Sequence, residues 1–274
     1  MKAPLIRPFA FASAAVFALA LARAQYASSV VNYTAGSGAT AGYDNPATVL
    51  GEPSRVTPGQ FGGPVDPFAP PYLNSQLVSL GAGGSLTVQF SSPIAHDPAH
   101  AYGFDFQIFG NSGFIVTNAL DENFNFIGTP ATDGSLFGSG ATTRVSVSAD
   151  GQTFFTLNPA LAPAVDTMFP TDGNGDFGKP VDPSLKGSNF AGLTLEGVRG
   201  FYAGSGGGAG FNLGWAQDGS GQAVVLSGVS YVRIEVLNGK ADIDGFSAVT
   251  AVPEPATWSL LALGLGSLVM KCRR

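Results

Sequence analysis

The sequence predicts an all-β protein, an antiparallel β-sandwich with long loops, followed by a single C-terminal hydrophobic helix. Two observations carry the sandwich. Between residues 25 and 252, apolar side chains alternate in short runs separated by Gly, Pro, Asn and Asp, and no stretch shows three turns of helical periodicity. The one cysteine, Cys272, lies outside that body, so no disulfide braces it and an apolar core must. A body of about 228 residues can bury such a core as one domain. The helix rests on a third observation, the uncharged stretch 256–270.

In chain order the clearest strands are 85–90 (SLTVQF), 102–109 (YGFDFQIF), 143–148 (TRVSVS), 154–157, 229–237 (VSYVRIEVL) and 242–249. Their β-branched and aromatic residues suit a pleated, half-buried surface. Ala149-Asp150-Gly151 turns the chain between the third and fourth, with Gly151 free to take positive φ. Because strand side chains alternate between faces, VSYVRIEVL points Val232, Ile234 and Val236 at the core. Val229, Tyr231, Arg233, Glu235 and Leu237 then share the outer face, where Arg233 and Glu235 form a surface pair worth little energy. Asp242 and Asp244 share the outer face of the last strand. The intervals 51–84 and 158–228 are long loops, the places where a rigid sandwich carries recognition. Pro64-Val65-Asp66-Pro67 in the first recurs as Pro180-Val181-Asp182-Pro183 in the second, two similar extended turns.

The two ends read differently from the body. Met1, Lys2 and Arg7 precede FAFASAAVFALALA, and Ala22-Arg23-Ala24 follows. A basic flank, an apolar run and an A-x-A site compose a secretory signal peptide over 1–24, as against a buried N-terminal helix, with cleavage after Ala24. At the other end, 256–270 would span about 22 Å as a helix, short of the ~30 Å hydrocarbon layer. It could sit in the inner membrane transiently if Lys271, Arg273 and Arg274 snorkel to the cytoplasmic headgroups. The alternative, a core helix, is at odds with a run that is apolar on every face.

Val252-Pro253-Glu254-Pro255, an apolar stretch with Gly264 and Gly266, and a basic tip together resemble the PEP-CTERM sorting signal of Gram-negative bacteria. The resemblance implies recognition and cleavage by an exosortase, a membrane transpeptidase-like protease of organisms that make exopolysaccharide. Pro253, Glu254 and Pro255 match the recognition motif, and Lys271, Arg273 and Arg274 the basic tip, which Cys272 interrupts. Two prolines hold that segment extended and out of any sheet or helix, where a protease can grip it. The expected organisation is a signal peptide (1–24), a sandwich body (25–252) and a sorting and anchor segment (253–274).

Of 13 Lys and Arg, three lie in the leader and three in the tail, while of 19 Asp and Glu only Glu254 lies outside the body. The body therefore carries 7 basic and 18 acidic residues, about −11 in all. That balance excludes nucleic acid and anionic membrane surfaces as partners, since both require basic patches. A weaker resemblance concerns the fold: VSVSADGQTFFTL followed by VSYVRIEVL is similar to the galactose-binding-like jelly roll of discoidin-type domains. It implies a jelly-roll-like sandwich with a sugar site borne by loops, and transfers no ligand residue.

Candidate sites follow from residue chemistry. Thr171-Asp172-Gly173-Asn174-Gly175-Asp176 sets oxygens at alternate positions, as calcium requires, with Asp172, Asn174, Asp176 and Asp182 as ligands and Asp166 as an outside candidate; the other reading is an Asx-rich turn. His96 and His100 in HDPAH lack the third ligand of a catalytic zinc, and Pro98 breaks the helix that would pair them, so a surface turn is expected. Carboxylate neighbours such as Asp121-Glu122 seldom face each other across a sugar. No G-x-S-x-G elbow is present, and the Gly204–Gly210 run lacks the Lys-Ser of a phosphate loop. Tyr202 and Trp215 around that run could form an aromatic platform for a sugar, as against core packing. The function expected is a non-enzymatic cell-surface or matrix protein, structural or adhesive within an exopolysaccharide layer. A carbohydrate-binding module is the alternative, and a glycoside hydrolase would need two carboxyls across a cleft.

Overall fold

The computed structural model describes residues 25–250 except Phe124, Ser139, Thr167 and Met168. The signal site at Ala22 and Ala24, the sorting residues 253–255 and 271–274 and the expected C-terminal helix lie outside the described residues. Among the described residues no helix is long and apolar enough to cross a membrane.

The described strands are β1 (Ala27–Thr34), β2 (Val56–Thr57), β3 (Gly63–Pro64), β4 (Val78–Gly81), β5 (Ser85–Ala95), β6 (Phe106–Gly110), β7 (Gly113–Val116), β8 (Thr132–Phe137), β9 (Thr142–Ser148), β10 (Phe155–Leu157), β11 (Ala209–Phe211), β12 (Ala216–Gln217), β13 (Gly228–Asn238) and β14 (Lys240–Ala248). Six form one sheet in the order β1-β5-β13-β9-β10-β12, and four form the other, β11-β6-β14-β4. All pairings are antiparallel, and β2-β3 and β7-β8 are separate two-stranded pairs. The all-β sandwich of the sequence is the fold. Its core joins Leu86, Val88 and Phe90 of β5 and Val232, Ile234 and Val236 of β13 to Phe106 and Ile108 of β6 and Ile243 and Phe246 of β14. Each such side chain stabilises the fold by about 1.5–3 kcal/mol on full burial.

The structure changes two assignments on β13. Val229, expected outside, is fully buried, because the pairing with β5 shifts register between Val229 and Tyr231, and the bulge returns Val229 to the core face. Arg233 and Glu235 do not pair with each other. Glu235 lies opposite Arg144 on β9 and accepts two bonds from it, at 2.9 and 3.0 Å. Arg233 instead stacks 3.6 Å over the Phe154 ring.

The long loops fold back over the outer face of the four-stranded sheet. Asp242 and Asp244, read as surface residues, are therefore buried, at 5% and 2% exposure. Ser54 donates its N–H and hydroxyl to Asp244, at 2.9 and 2.7 Å. Asp166, in the left-handed region at φ 59°, accepts the N–H groups of Asn111, Ser112 and Asp242. Two carboxyls thus clasp the two covering segments to the sheet.

A second apolar cluster, Phe114, Val181, Phe190, Val198 and Tyr202, joins β7 to two short helices, α1 (Gly187–Phe190) and α2 (Leu195–Tyr202). Thr194 caps α2 by accepting the Gly197 N–H, and Ala203 ends it in the left-handed conformation. Val198 and Tyr202, four apart, bury the same helix face. The Gly204–Gly210 run is fixed by the rings packed against it. A Cβ at Gly206, Gly208 or Gly210 would come within 2.3, 2.8 and 2.3 Å of the rings of Phe177, Phe109 and Phe104. Phenyl rings occupy the space that side chains would take.

Candidate functional site

Sequence positions far apart build one open cleft of about 910 Å³. One wall comes from the Asp66–Ala69 turn, where Asp66 Oδ1 accepts the N–H groups of Phe68 and Ala69 at 2.8 and 2.9 Å and so fixes the Phe68 ring. A second comes from Val116 and the following loop, which carries Phe126. Asn118 braces that loop, donating to Ile127 and Thr129 carbonyls at 3.0 and 3.1 Å and accepting from Ala131 N–H at 2.7 Å. The first turns of α2 close the cleft with Glu196 and Arg199. Phe126 is 46% exposed, an aromatic ring presented to solvent.

The cleft's cation is already engaged. Arg199 donates Nε and Nη2 to the buried carboxylate of Asp172, at 2.7 and 2.9 Å, which raises the guanidinium pKa further. Asp66 and Glu196 are the other charges on its lining. The cleft is therefore apolar on its walls and acidic on balance.

The same ion pair argues against the calcium reading of 172–182 and for its alternative, the Asx-rich turn. Among the described residues no group of three or more His, Cys, Asp and Glu could hold a metal ion. Guanidinium groups stand where a cation was expected. Arg199 takes both oxygens of Asp172, and Arg55 donates to the carbonyls of Gly173 and Gly175 while stacking 4.5 Å over Phe177. Asp176 and Asp182 cap the N–H groups of Gly178 and Ser184, and Asn174 is exposed and donates its N–H to Asp172. Asp166 belongs to the clasp on β14. This is an arginine-braced Asx turn.

The sugar platform of Tyr202 and Trp215 is likewise corrected. Tyr202 is 2% exposed, packed in the second cluster, with its hydroxyl donating to the Pro170 carbonyl. Trp215 lies elsewhere, half-buried, on the lining of a smaller cavity beside Tyr102. HDPAH is not a plain surface turn either. Both histidines direct Nδ1 at the fully buried Asp105, at 2.9 and 3.1 Å. The signal for this lay in YGFDFQIF, where an aspartate interrupts an aromatic run destined for the interior. Asp121 turns its carboxylate to the N–H groups of Asn125 and Asn123, which hold it below its ordinary pKa and tie it to its own turn.

Comparison with known proteins places the C-terminus. Residues 251–274 match the PEP-CTERM protein-sorting motif. The chain is thus an exported protein destined for the cell envelope of Gram-negative bacteria, and the motif implies processing by an exosortase. No curated protein matches the chain. Among solved structures, a pectin binding carbohydrate binding module aligns over 83% of this chain and 96% of its own, at 10% identity and a TM-score of 0.28. At that score no residue role is transferred.

Proposed function

We propose that the body is an adhesive, glycan-binding module that holds the exported protein within an exopolysaccharide layer through the Phe68–Phe126 cleft. The observation that carries the reading is the cleft itself: an open groove with aromatic and aliphatic walls and a few polar groups at its edge, on a protein bound for the cell envelope. Apolar ring faces suit the C–H face of a sugar, and Asp66, Glu196 and Thr129 can bond its hydroxyls. The acidic balance favours neutral or amino-sugar chains over polyuronates. Retention of the mature protein on immobilised neutral, cationic and anionic polysaccharides tests this. Retention on a neutral or cationic matrix, lost in Phe126→Ala, is the expected result, and no retention on any of them ends the reading.

One observation favours a second reading. Asp66 and Glu196 are two carboxyls on the lining of one cleft, the residue types that a glycoside hydrolase uses. Asp66 commits Oδ1 to its own turn, which favours a positioning role over proton transfer. Release of reducing ends from a retained polysaccharide, abolished by Glu196→Gln, would put hydrolysis first.

A further inference from the structure

The HDPAH segment and the turn at Trp215 are joined through one carboxylate. Asp105 is fully buried, and each of its oxygens accepts two bonds. Oδ1 takes the Asp97 N–H at 3.0 Å and His100 Nδ1 at 3.1 Å; Oδ2 takes His96 Nδ1 at 2.9 Å and the Leu213 N–H at 2.8 Å. A carboxylate offers about four acceptor positions, and here the chain itself fills them all. The residue's own N–H donates to the Phe211 carbonyl, and its carbonyl accepts from Val249. Asp105 therefore fixes two loops against each other, 96–104 and 212–215.

Each loop carries an aromatic ring at the same cavity of about 300 Å³. Tyr102 sits on the first, 54% exposed, in the left-handed region at φ 56° that non-glycine residues seldom adopt. Trp215 sits on the second, where the Asn212 side chain caps the turn by accepting the Gly214 N–H. Phe104 meets Trp215 edge-on, with centroids 5.9 Å apart and planes at 82°, and its own ring lies over Gly210. Leu161, 56% exposed, and Pro183 complete the rim. No charged side chain lines the cavity. A strained backbone and a buried carboxylate thus hold in place a tyrosine that contributes little to the core, the kind of local strain that gathers at ligand clamps.

We propose that the Tyr102–Trp215 cavity is a separate subsite for one uncharged pyranose ring, and that Asp105, with His96 and His100, is its positioning residue. The occupant follows from the lining. Aromatic faces stack on the apolar face of a pyranose, the absence of charge disfavours uronates and protonated amino sugars, and the volume lies at the low end for ligand pockets, suited to a ring rather than a lipid chain. The proposal rests on the glycan-binding reading above, but its site and its polar determinants are distinct from those of the cleft.

The experiment uses the full chain carrying Trp258→Phe, which leaves Trp215 as its one tryptophan. Titration with uncharged hexose and N-acetylhexosamine oligosaccharides should change Trp215 emission saturably. Tyr102→Ala, at an exposed side chain, should weaken that response about tenfold, the scale of losing one stacked ring. Asp105→Asn should weaken it too, while Phe126-dependent retention on polysaccharide persists; that contrast separates positioning from general unfolding. Should Asp105→Asn fail to fold, Tyr102→Ala decides. Emission unmoved by every oligosaccharide, with retention at the cleft intact, overturns the subsite and leaves the cleft reading standing. Neither signal overturns both, and emission moved only by alkyl chains overturns the sugar assignment.

Discussion

Replacing Asp244 with Asn should remove a pH-dependent weakness from the fold. Asp244 is buried beneath the covering loop, and loss of solvent raises its carboxyl to about 7, against the partial opposition of the Ser54 hydroxyl and N–H. In the unfolded chain the group titrates near 3.8. The folded state therefore keeps a proton that the unfolded state releases, and its contribution to stability is full below pH ~4 and is lost as pH rises through about 7. Moving a carboxyl from 3.8 to about 7 corresponds to about 4 kcal/mol at most. For a domain of this size that is about 8–16 °C in melting temperature. An asparagine reproduces the protonated carboxyl at every pH: its oxygen accepts the Ser54 N–H and its amide donates to Ser54 Oγ. Thermal melts of wild type and Asp244→Asn between pH 4 and 8 should thus converge near pH 4, separate progressively as pH rises to about 7 and run parallel above it, the variant being the more stable. Asp166, also raised to about 7 by burial, keeps its own slope in both proteins and cancels in the difference. A difference that does not vary with pH would refute the reasoning.

Millimolar calcium should leave the melting temperature unchanged, because arginines already satisfy the 172–176 turn; a rise abolished by Asp172→Ala with Asp176→Ala would restore the metal. Gly210→Ala should destabilise the body by about 1–3 kcal/mol, since the new methyl meets the Phe104 ring at 2.3 Å, and should alter Trp215 fluorescence through the Phe104 contact. An unchanged melt and spectrum would show that the ring yields freely. Glu254→Ala should leave uncleaved precursor in the membrane fraction, read by immunoblot, and normal maturation would exclude Glu254 from the sorting motif.

The strands that could be read from sequence are those whose alternation is local. VSYVRIEVL reveals itself because it buries one face of its sheet, TRVSVS because its β-branched residues alternate with polar ones, and Gly151 takes φ 74° in the turn where it was expected. Val229 was assigned to the wrong face because its bulge is set by the partner strand, between Ile94 and Gln89, and leaves no mark in β13 itself. The helix α2 has eight residues, too few for its periodicity to stand out from short apolar runs. The calcium pattern is ambiguous for a related reason. Aspartates at alternate positions suit any cation, and the choice was made by Arg55, 118 residues from Gly173, and by Arg199, 27 from Asp172.

The same distance in sequence explains why both candidate sites escaped detection while the sorting tail did not. A protease reads the tail as an extended segment, so its signal is contiguous by necessity. A cleft on a sandwich is assembled from loops that the core brings together, and its walls are placed by clasps from other elements as well as by local braces such as Asp66 and Asn118. Asp244 holds Ser54 at the start of the segment leading to Phe68; Asp166 holds Asn111 and Ser112 where the chain enters β7 and approaches Val116; Asp105 holds Tyr102 and Trp215 in common reach. All three carboxyls are buried, and each accepts from at least one backbone N–H on another element. Their role lies in where backbone groups arrive, which only the folded chain defines. An aspartate inside an aromatic or β-branched run, as in YGFDF or ADIDGF, is the trace such a clasp leaves in sequence: a charge that alternation alone would have put in water.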